Sequence, residues 1–167
     1  RMAKRIGLEK VFVHAILDGS DVMPRTADIY VEALEIKLAD IGIGKLASLC
    51  GRYYGMDKDL NWERTARAYT MLVHAEGERS FDAVNSIRNS FLRGINDDFI
   101  QPIVLEDQPG EPIAIIKDGD GVVFFNHRAD GMRQLVKSVA VADIDSPSMI
   151  AKPKIETVCL VEYDRTF

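Results

Sequence analysis

The sequence predicts an α/β fold: a mostly parallel sheet with helices on both faces and a small β-hairpin excursion. Short runs rich in β-branched and aromatic residues alternate with longer segments whose apolar residues recur at helical spacing. The predicted order is β-α-β-α-α-(β-β)-β-α-β. Of the 167 residues, 47% are hydrophobic, which is enough apolar material for one core. We therefore expect residues 1–167 to form a single domain.

The first fifty residues predict a strand–helix–strand unit. Residues 1–7 are typical of the last turns of a helix. The run KVFVHAI at 10–16 is β-branched and aromatic, which predicts a buried strand. The next helix is expected to begin at Thr26, a favourable N-cap, and to end before Gly42. The apolar run at 45–50 predicts the second strand.

The middle of the chain predicts two helices and a hairpin. Apolar residues at helical spacing predict helices over 62–74 and 81–93, the second of which ends at Gly94. The region 102–118 contains three prolines around the sequence QPGE, a composition that favours a small hairpin. A DGDG turn then leads into a predicted strand at 122–125.

The last part of the chain predicts a helix over 130–139, a polar connector that contains prolines, and a closing strand over 155–161. We find no internal repeat and no low-complexity segment. Because residue 1 is arginine rather than methionine, we expect further residues upstream.

Composition and charge exclude several classes of protein. The net charge is −5 and the cations are dispersed, whereas nucleic-acid-binding proteins carry a basic stripe. No run approaches the ~18 apolar residues of a membrane span. No signal peptide is visible. Cys50 and Cys159 lie in apolar runs and are expected to be reduced thiols, which indicates a cytoplasmic protein. We expect no nucleic-acid or membrane partner.

The residue types that bind metals or act as nucleophiles form no recognisable pattern. His14, His74 and His127 are far apart in the sequence, without a metal-ligand spacing. His14 is predicted to be a core histidine. Ser20 lies between two acids, which disfavour an alkoxide. We therefore predict no metal ligand and no catalytic residue in this chain.

Three loops that follow predicted strands share a mixture of acidic and basic residues. They comprise residues 18–21 (DGSD), 51–59 (GRYYGMDKD) and 126–130 (NHRAD). If the three strands are parallel neighbours, these loops meet at one sheet edge, where α/β proteins bind ligands. Arginine and lysine would then hold an anion while aspartates accept hydrogen bonds from hydroxyls. The alternative is a salt-bridge network that only fixes the loops.

The segments VHAILDGSD, GRYYGMDKDLNWERTARAY and VVFFNHRAD resemble the second domain of the cofactor-independent phosphoglycerate mutases, in the family's order and at similar spacing. The resemblance implies a two-domain enzyme. An alkaline-phosphatase-like domain would carry two Mn²⁺ or Mg²⁺ ions and a serine that becomes phosphorylated. This chain would be most of the substrate-binding domain, without its N-terminal strand and without the phosphatase-like domain.

The resemblance also implies roles for individual residues. It assigns substrate binding to Asp21, Arg52, Lys58 and Arg128. Three positions depart from the family, which usually has arginine where this chain has Ser20, Lys58 and Gly131. Lysine keeps the charge but loses the bidentate fork. Loss of cations at the other two positions should weaken the binding of a phosphate group.

The implied activity is that of an isomerase of glycolysis, which interconverts 3-phosphoglycerate and 2-phosphoglycerate by phosphoryl transfer. The chain alone is expected to be inactive and monomeric, and its partners would be phosphoglycerate and its own phosphatase-like domain. The missing arginines leave two alternatives. One is a binding module that has lost catalysis, and the other is an enzyme for another phosphorylated hydroxy acid.

Overall fold

The computed structural model describes residues 1–141 and 152–165. Its helices are α1 (Met2–Arg5), α2 (Ala27–Ile41), α3 (Arg52–Gly55), α4 (Trp62–His74), α5 (Ala83–Leu92) and α6 (Ala129–Ala140), with a 3₁₀ helix at Asp97–Phe99. Its strands are β1 (Phe12–Leu17), β2 (Lys45–Gly51), β3 (Glu78–Ser80), β4 (Ile103–Gln108), β5 (Glu111–Pro112), β6 (Gly121–Phe124) and β7 (Glu156–Cys159).

The main sheet is mixed, so the predicted mostly parallel sheet is wrong. Its order is β1-β2-β4-β3, and β5 pairs with β4. The units β1-α2-β2 and β3-α5-β4 each contain a parallel strand pair, but β2 and β4 run antiparallel. The predicted hairpin is formed by β4 and β5. The prediction missed that β4 also lies in the centre of the sheet, because the prolines around it suggested an edge.

A second, smaller sheet is formed by β6 and β7, which run parallel. Within the described residues, β6 pairs with no strand of the main sheet. Of the three strands that precede the charged loops, β1 and β2 are parallel neighbours, but β6 lies in the other sheet. The condition for the loops to meet at one sheet edge therefore holds for two of the three strands. The predicted proline-containing connector between α6 and β7 falls mostly on residues 142–151, outside the described part of the chain.

Helices cover both faces of the main sheet, because alternate residues of its central strands point to opposite sides. In β4, Ile103 and Leu105 pack in a cluster with α2 and α5, whereas Val104 packs in a cluster with α4 and α6. In β2, Leu49 lies in the cluster with α2 and α5, and Cys50 lies in the cluster with α4 and α6. The small sheet contributes Phe124 to the α4/α6 side.

Two ends of helices differ from the prediction. The Thr26 hydroxyl donates to the carbonyl of Met23 instead of capping α2. The buried carboxylate of Asp97, 1% exposed, accepts from the backbone N–H groups of Thr26 and Ala27 at 3.1 and 2.7 Å. Helix α2 is thus capped by a residue about seventy positions away in the sequence. None of the described helices has the length and apolar character needed to cross a membrane.

Candidate functional site

Six charged side chains from three separate segments form one connected group, which we call the charged cluster. Its members are Asp18, Asp21, Arg52, Lys58, Arg128 and Asp130. Opposite charges alternate along it, so that each cation contacts at least one carboxylate. The three loops therefore meet although their strands belong to two sheets. All four residues predicted to bind substrate lie in this cluster.

The loop after β1 is organised by its first aspartate. The Asp18 carboxylate accepts hydrogen bonds from the backbone N–H groups of Ser20 (3.0 Å) and Asp21 (3.1 Å). This Asx turn needs Gly19, whose φ is +105°, a conformation that side chains disfavour. The Ser20 side chain is exposed, and the turn directs Asp21 toward the two arginines.

Arg52 is the most buried cation of the cluster, with its side chain 18% exposed. It begins α3, directly after β2. Its Nη1 donates to Asp18 Oδ1 at 2.7 Å and to Asp21 Oδ2 at 3.2 Å. The predicted loop at 51–59 is therefore partly a helical turn. Burial makes Arg52 the cation best shielded from solvent screening.

Arg128 approaches the cluster from the small sheet, at the N-cap of α6. Its guanidinium donates to Asp21 and lies 3.7 Å from Asp130. The backbone N–H of Arg128 donates to the Asn126 side chain at 2.9 Å. The hydroxyl of Tyr163 contacts the backbone carbonyl of Asn126. The segment that carries Arg128 is therefore held by a buried tyrosine from near the end of the chain.

Lys58 forms the outer part of the cluster. Its Nζ lies 3.6 Å from Asp130 Oδ2, and both side chains are about half exposed. The neighbouring Asp57 is buried and accepts from the backbone N–H groups of Asp59 and Asn61 at 3.1 and 2.9 Å. Arg64 donates to the same carboxylate at 3.1 Å. These contacts explain why Asp57 and Arg64 do not join the cluster.

Gly131 is buried directly beside the cluster, at the start of α6. A Cβ atom at this position would lie 2.7 Å from Cε and 3.2 Å from Cβ of Met56. An arginine here would require Met56 to move. Close packing thus occupies the position at which the resemblance implies a cation. Arg25 and Arg133, which could compensate for it, make their hydrogen bonds to Asn96 and Tyr163 instead.

The ion pairs keep the carboxylates of the cluster ionised. The guanidinium of Arg128 lowers the pKa of Asp21. Partial burial tends to raise the pKa of Asp18, but the N–H groups of Ser20 and Asp21 and the charge of Arg52 outweigh it and lower that pKa. The pKa of Asp130 is also lowered: a slight desolvation that raises it is outweighed by the Gly131 N–H, Arg128 and Lys58. The cluster is therefore a fully charged surface with three cations and three anions.

His14 and Cys50 behave as core groups and offer no reactive group to this surface. Burial lowers the pKa of His14 to about 4, and its Nδ1 lies 2.8 Å from the Ser48 hydroxyl, as expected for a core histidine. Burial raises the pKa of the Cys50 thiol to about 12. Over residues 1–141 and 152–165, no three His, Cys, Asp or Glu side chains could hold a metal ion. The carboxylates of the cluster are engaged by arginine and lysine instead.

A separate cavity of about 320 Å³ lies between α2 and α5, lined by Glu32, Glu35, Phe81, Asp82, Val84, Asn85 and Arg88. It shares no residue with the charged cluster. Its one cation, Arg88, is already held by Asp28 at 2.9 Å. The cluster, by contrast, is an open surface on which guanidinium groups and carboxylates are arranged side by side. Such a surface can hold a ligand that has both an anionic group and hydroxyls.

Some residues that shape the site were missed by the sequence analysis. They are Asp97, Asn126 and Tyr163, whose side chains form hydrogen bonds with backbone groups of other residues. The buried Gln134 belongs with them, because it accepts from the Leu60 N–H and donates to the Thr65 hydroxyl. Polar residues in apolar surroundings were the available signal, but their partners are distant in sequence.

Comparison with known proteins gives one consistent result. The model of the family "BPG-independent PGAM N-terminus" matches residues 1–165. The 2,3-bisphosphoglycerate-independent phosphoglycerate mutases of Moorella thermoacetica and Desulforudis audaxviator are each 46% identical to this chain, over 99% of its length. A crystal structure of Leishmania mexicana phosphoglycerate mutase covers 95% of the chain with a TM-score of 0.89. At 24% identity, that structure supports the fold alone.

The chain spans about a third of the length of these relatives, 32% of each mutase and 30% of the crystallised chain. The family match, in contrast, covers nearly every residue of this chain. On that match, the chain belongs to the family of the BPG-independent phosphoglycerate mutase N-terminus.

Proposed function

We propose that this chain is most of the substrate-binding domain of a two-domain phosphoglycerate mutase, which interconverts 3-phosphoglycerate and 2-phosphoglycerate in glycolysis. The observation that carries the proposal is the meeting of Arg52 and Arg128 at Asp21, from segments that follow strands of two different sheets. A salt bridge that served only to fix one loop would not need two guanidinium groups from separate elements. Two adjacent guanidinium groups suit a phosphate or carboxylate.

In this proposal each predicted residue has a role. Arg52, Arg128 and Lys58 hold the anionic groups of the phosphoglycerate, with Lys58 at the exposed rim. Asp21 accepts a hydrogen bond from a glycerate hydroxyl through Oδ1, since the contacts with both arginines fall on Oδ2. Binding the substrate in one orientation brings its hydroxyls to the phosphoryl donor, and such positioning can supply much of a rate enhancement.

The phosphorylated serine and the two Mn²⁺ or Mg²⁺ ions of the proposed enzyme would belong to the phosphatase-like domain. The described residues of this chain do not fit such a metal site, because their clustered carboxylates are paired with arginine and lysine. The chain's own part is to bind and orient, so by itself it should not interconvert the phosphoglycerates.

A second candidate is favoured by the packing at Gly131. The glycine is closed in by Met56, and Ser20 has no charge, so the cluster has fewer cations than the family pattern. A ligand with less negative charge would need fewer cations, and so would a site that binds without catalysis. The candidate is therefore a module without catalysis, or an enzyme for another phosphorylated hydroxy acid.

Calorimetric titration of the chain with 3-phosphoglycerate tests the proposed site. Arg52→Gln and Arg128→Gln should each weaken binding about tenfold or more, because each removes a charge-assisted hydrogen bond. Arg93→Gln is the matched control, since Arg93 is exposed and pairs with Glu78 outside the cluster. Equal affinities in all four proteins would contradict the proposed site.

Turnover measurements separate the two candidates. The complete protein should convert 3-phosphoglycerate to 2-phosphoglycerate, whereas the chain alone should not. Binding without turnover by the complete protein, with manganese or magnesium supplied, favours the module or the other substrate. Screening phosphorylated hydroxy acids for phosphoryl transfer then distinguishes these two. Turnover by the chain alone would overturn its assignment as a substrate-binding domain.

A further inference from the structure

A single oxygen atom joins two of the three segments that form the charged cluster. Asp18 Oδ1 accepts the N–H groups of Ser20 at 3.0 Å and Asp21 at 3.1 Å, and it also accepts Nη1 of Arg52 at 2.7 Å. The two backbone contacts hold the turn after β1. The third contact holds the guanidinium at the start of α3. This one carboxylate therefore connects the turn directly to the guanidinium.

The other contact between these segments is weaker. Arg52 Nη1 reaches Asp21 Oδ2 at 3.2 Å, and the Asp21 side chain is 55% exposed. Asp21 is also shared with Arg128, and in the proposed function it accepts from a substrate hydroxyl as well. An arginine held only by an exposed, shared carboxylate would lose its single orientation, because its side chain has large rotamer entropy.

We propose that Asp18 is a positioning residue of the substrate site: it holds Arg52 and the Ser20–Asp21 turn in the arrangement that receives the anion and hydroxyl of the ligand. This inference rests on the proposed function of the cluster. Asp18 itself need not touch the ligand, since its Oδ1 already accepts three hydrogen bonds. The pKa of Asp18, lowered by the turn N–H groups and by Arg52 despite partial burial, agrees with an ionised acceptor.

Two substitutions separate the positioning role from the charge. Asp18→Asn and Asp18→Ala remove the same negative charge, but only asparagine keeps an oxygen that can accept from the turn and from Arg52. We expect Asp18→Ala to bind 3-phosphoglycerate about tenfold more weakly than Asp18→Asn in calorimetric titration of the chain. Asp40→Asn and Asp40→Ala form the matched control pair, because Asp40 pairs with Lys37 at the far end of α2.

A second measurement needs no ligand. The ¹⁵N relaxation of Arg52 Nε should show an ordered side chain in the wild type and in Asp18→Asn, and a mobile one in Asp18→Ala. Hydrogen exchange of the Ser20 and Asp21 amides should be slow in the wild type and in Asp18→Asn, and faster in Asp18→Ala. A well-dispersed spectrum of each variant shows that it is folded, so that loss of the whole structure is distinguished from loss of position.

The outcomes decide between the explanations. Equal binding by Asp18→Asn and Asp18→Ala, with Arg52 equally ordered in both, would overturn the positioning role and leave only a charge effect. If the wild-type chain binds no 3-phosphoglycerate, the proposed function of the cluster fails. The ¹⁵N relaxation of the Arg52 side chain in the two variants then still supports or overturns its positioning by Asp18.

Discussion

Asp21 lies between two guanidinium groups, and its carboxylate therefore competes with any anion for both of them. Its side chain is exposed and its partners come from different elements, so the contact can be exchanged for a ligand without unfolding the loop. An aspartate in this position has two effects of opposite sign. It holds Arg52 and Arg128 together, and it reduces the positive potential that attracts a phosphate group.

Asp21→Asn should therefore strengthen the binding of inorganic phosphate. The gain should be up to about fivefold, because exposed ion pairs such as those of Asp21 are individually weak. For 3-phosphoglycerate the gain should be smaller or absent, since the proposed acceptor for its hydroxyl is weakened. Titration of both ligands into the chain, with Asp40→Asn as control, measures the contrast. Weaker phosphate binding by Asp21→Asn would contradict this electrostatic competition.

The pKa values of the aspartates test the pairing directly. In Arg128→Gln, the lowered pKa of Asp21 should rise toward its usual value, because Arg128 is the main cause of the shift. The pKa of Asp18 should stay low, since the turn N–H groups and Arg52 lower it. Carbon NMR of the carboxyl groups during a pH titration measures both. Parallel shifts of the two residues would show that the cluster titrates as one unit.

The sign of the pH dependence follows from these shifts. A carboxyl group whose pKa is lower in the folded chain stabilises the fold above the ordinary aspartate pKa. That contribution is lost as the pH falls through the lowered value. The stabilising contribution of the cluster should therefore fall only in acid, below the pH at which the aspartates of the unfolded chain are half ionised.

At the scale of elements, close backbone contact sets where the strand β2 ends. Gly51 donates its N–H to the carbonyl of Ile100 at 2.8 Å. A Cβ on Gly51 would lie 2.2 Å from the backbone oxygen of Asp98 in the 3₁₀ helix. The same 3₁₀ helix contains Asp97, which caps α2. One close approach thus joins the end of β2, the start of α2 and the beginning of α3 that carries Arg52.

Gly51→Ala should destabilise the chain by about 3 kcal/mol or more, because backbone atoms cannot move aside as a side chain can. Gly121→Ala is the matched control: it also lies in a strand, and a Cβ there would meet nothing within 4 Å. Urea unfolding measures both free energies. Similar stabilities for the two variants would show that the 3₁₀ helix can withdraw from β2 at little cost.

At the scale of the whole molecule, the site is assembled from the main sheet and from the small sheet with α6. The C-terminal part of the described chain connects the small sheet to α6 through Tyr163, which is 2% exposed. Its hydroxyl lies 3.1 Å from the Phe124 carbonyl oxygen and also contacts that of Asn126, and it can donate to one of them at a time. Arg133 in turn donates to the Tyr163 carbonyl at 3.2 Å.

Tyr163→Phe should lower the free energy of unfolding by about 1 kcal/mol, the usual contribution of one hydrogen bond. It should also weaken 3-phosphoglycerate binding, because the segment that carries Arg128 loses its anchor. Tyr30→Phe is the control, since Tyr30 is exposed on α2. Thermal unfolding and calorimetric titration give the two quantities. Unchanged binding in Tyr163→Phe would show that Asn126 alone fixes Arg128.

By itself, the sequence determined most of the local elements and the residues of the cluster, whereas the short strand β3 and the short helix α3 were not predicted. Helix α4 lies at the predicted residues, and α2, α5, α6 and the strands β1, β2 and β6 differ from the prediction by at most two residues at each end. Apolar periodicity and glycine ends are local properties, so they can be recognised without the fold. The segments that carry Asp21, Arg52 and Arg128 were recognisable from their order and motif.

Only the tertiary structure decided how these parts are joined. Strand direction depends on partners far apart in sequence, so the antiparallel junction of β2 and β4 was not visible in residues that suggested an edge hairpin. The cap of α2 by Asp97 and the packing of Gly131 against Met56 likewise depend on distant residues. The loops meet because two sheets bring them together, and only the tertiary structure shows which carboxylate pairs with which cation there.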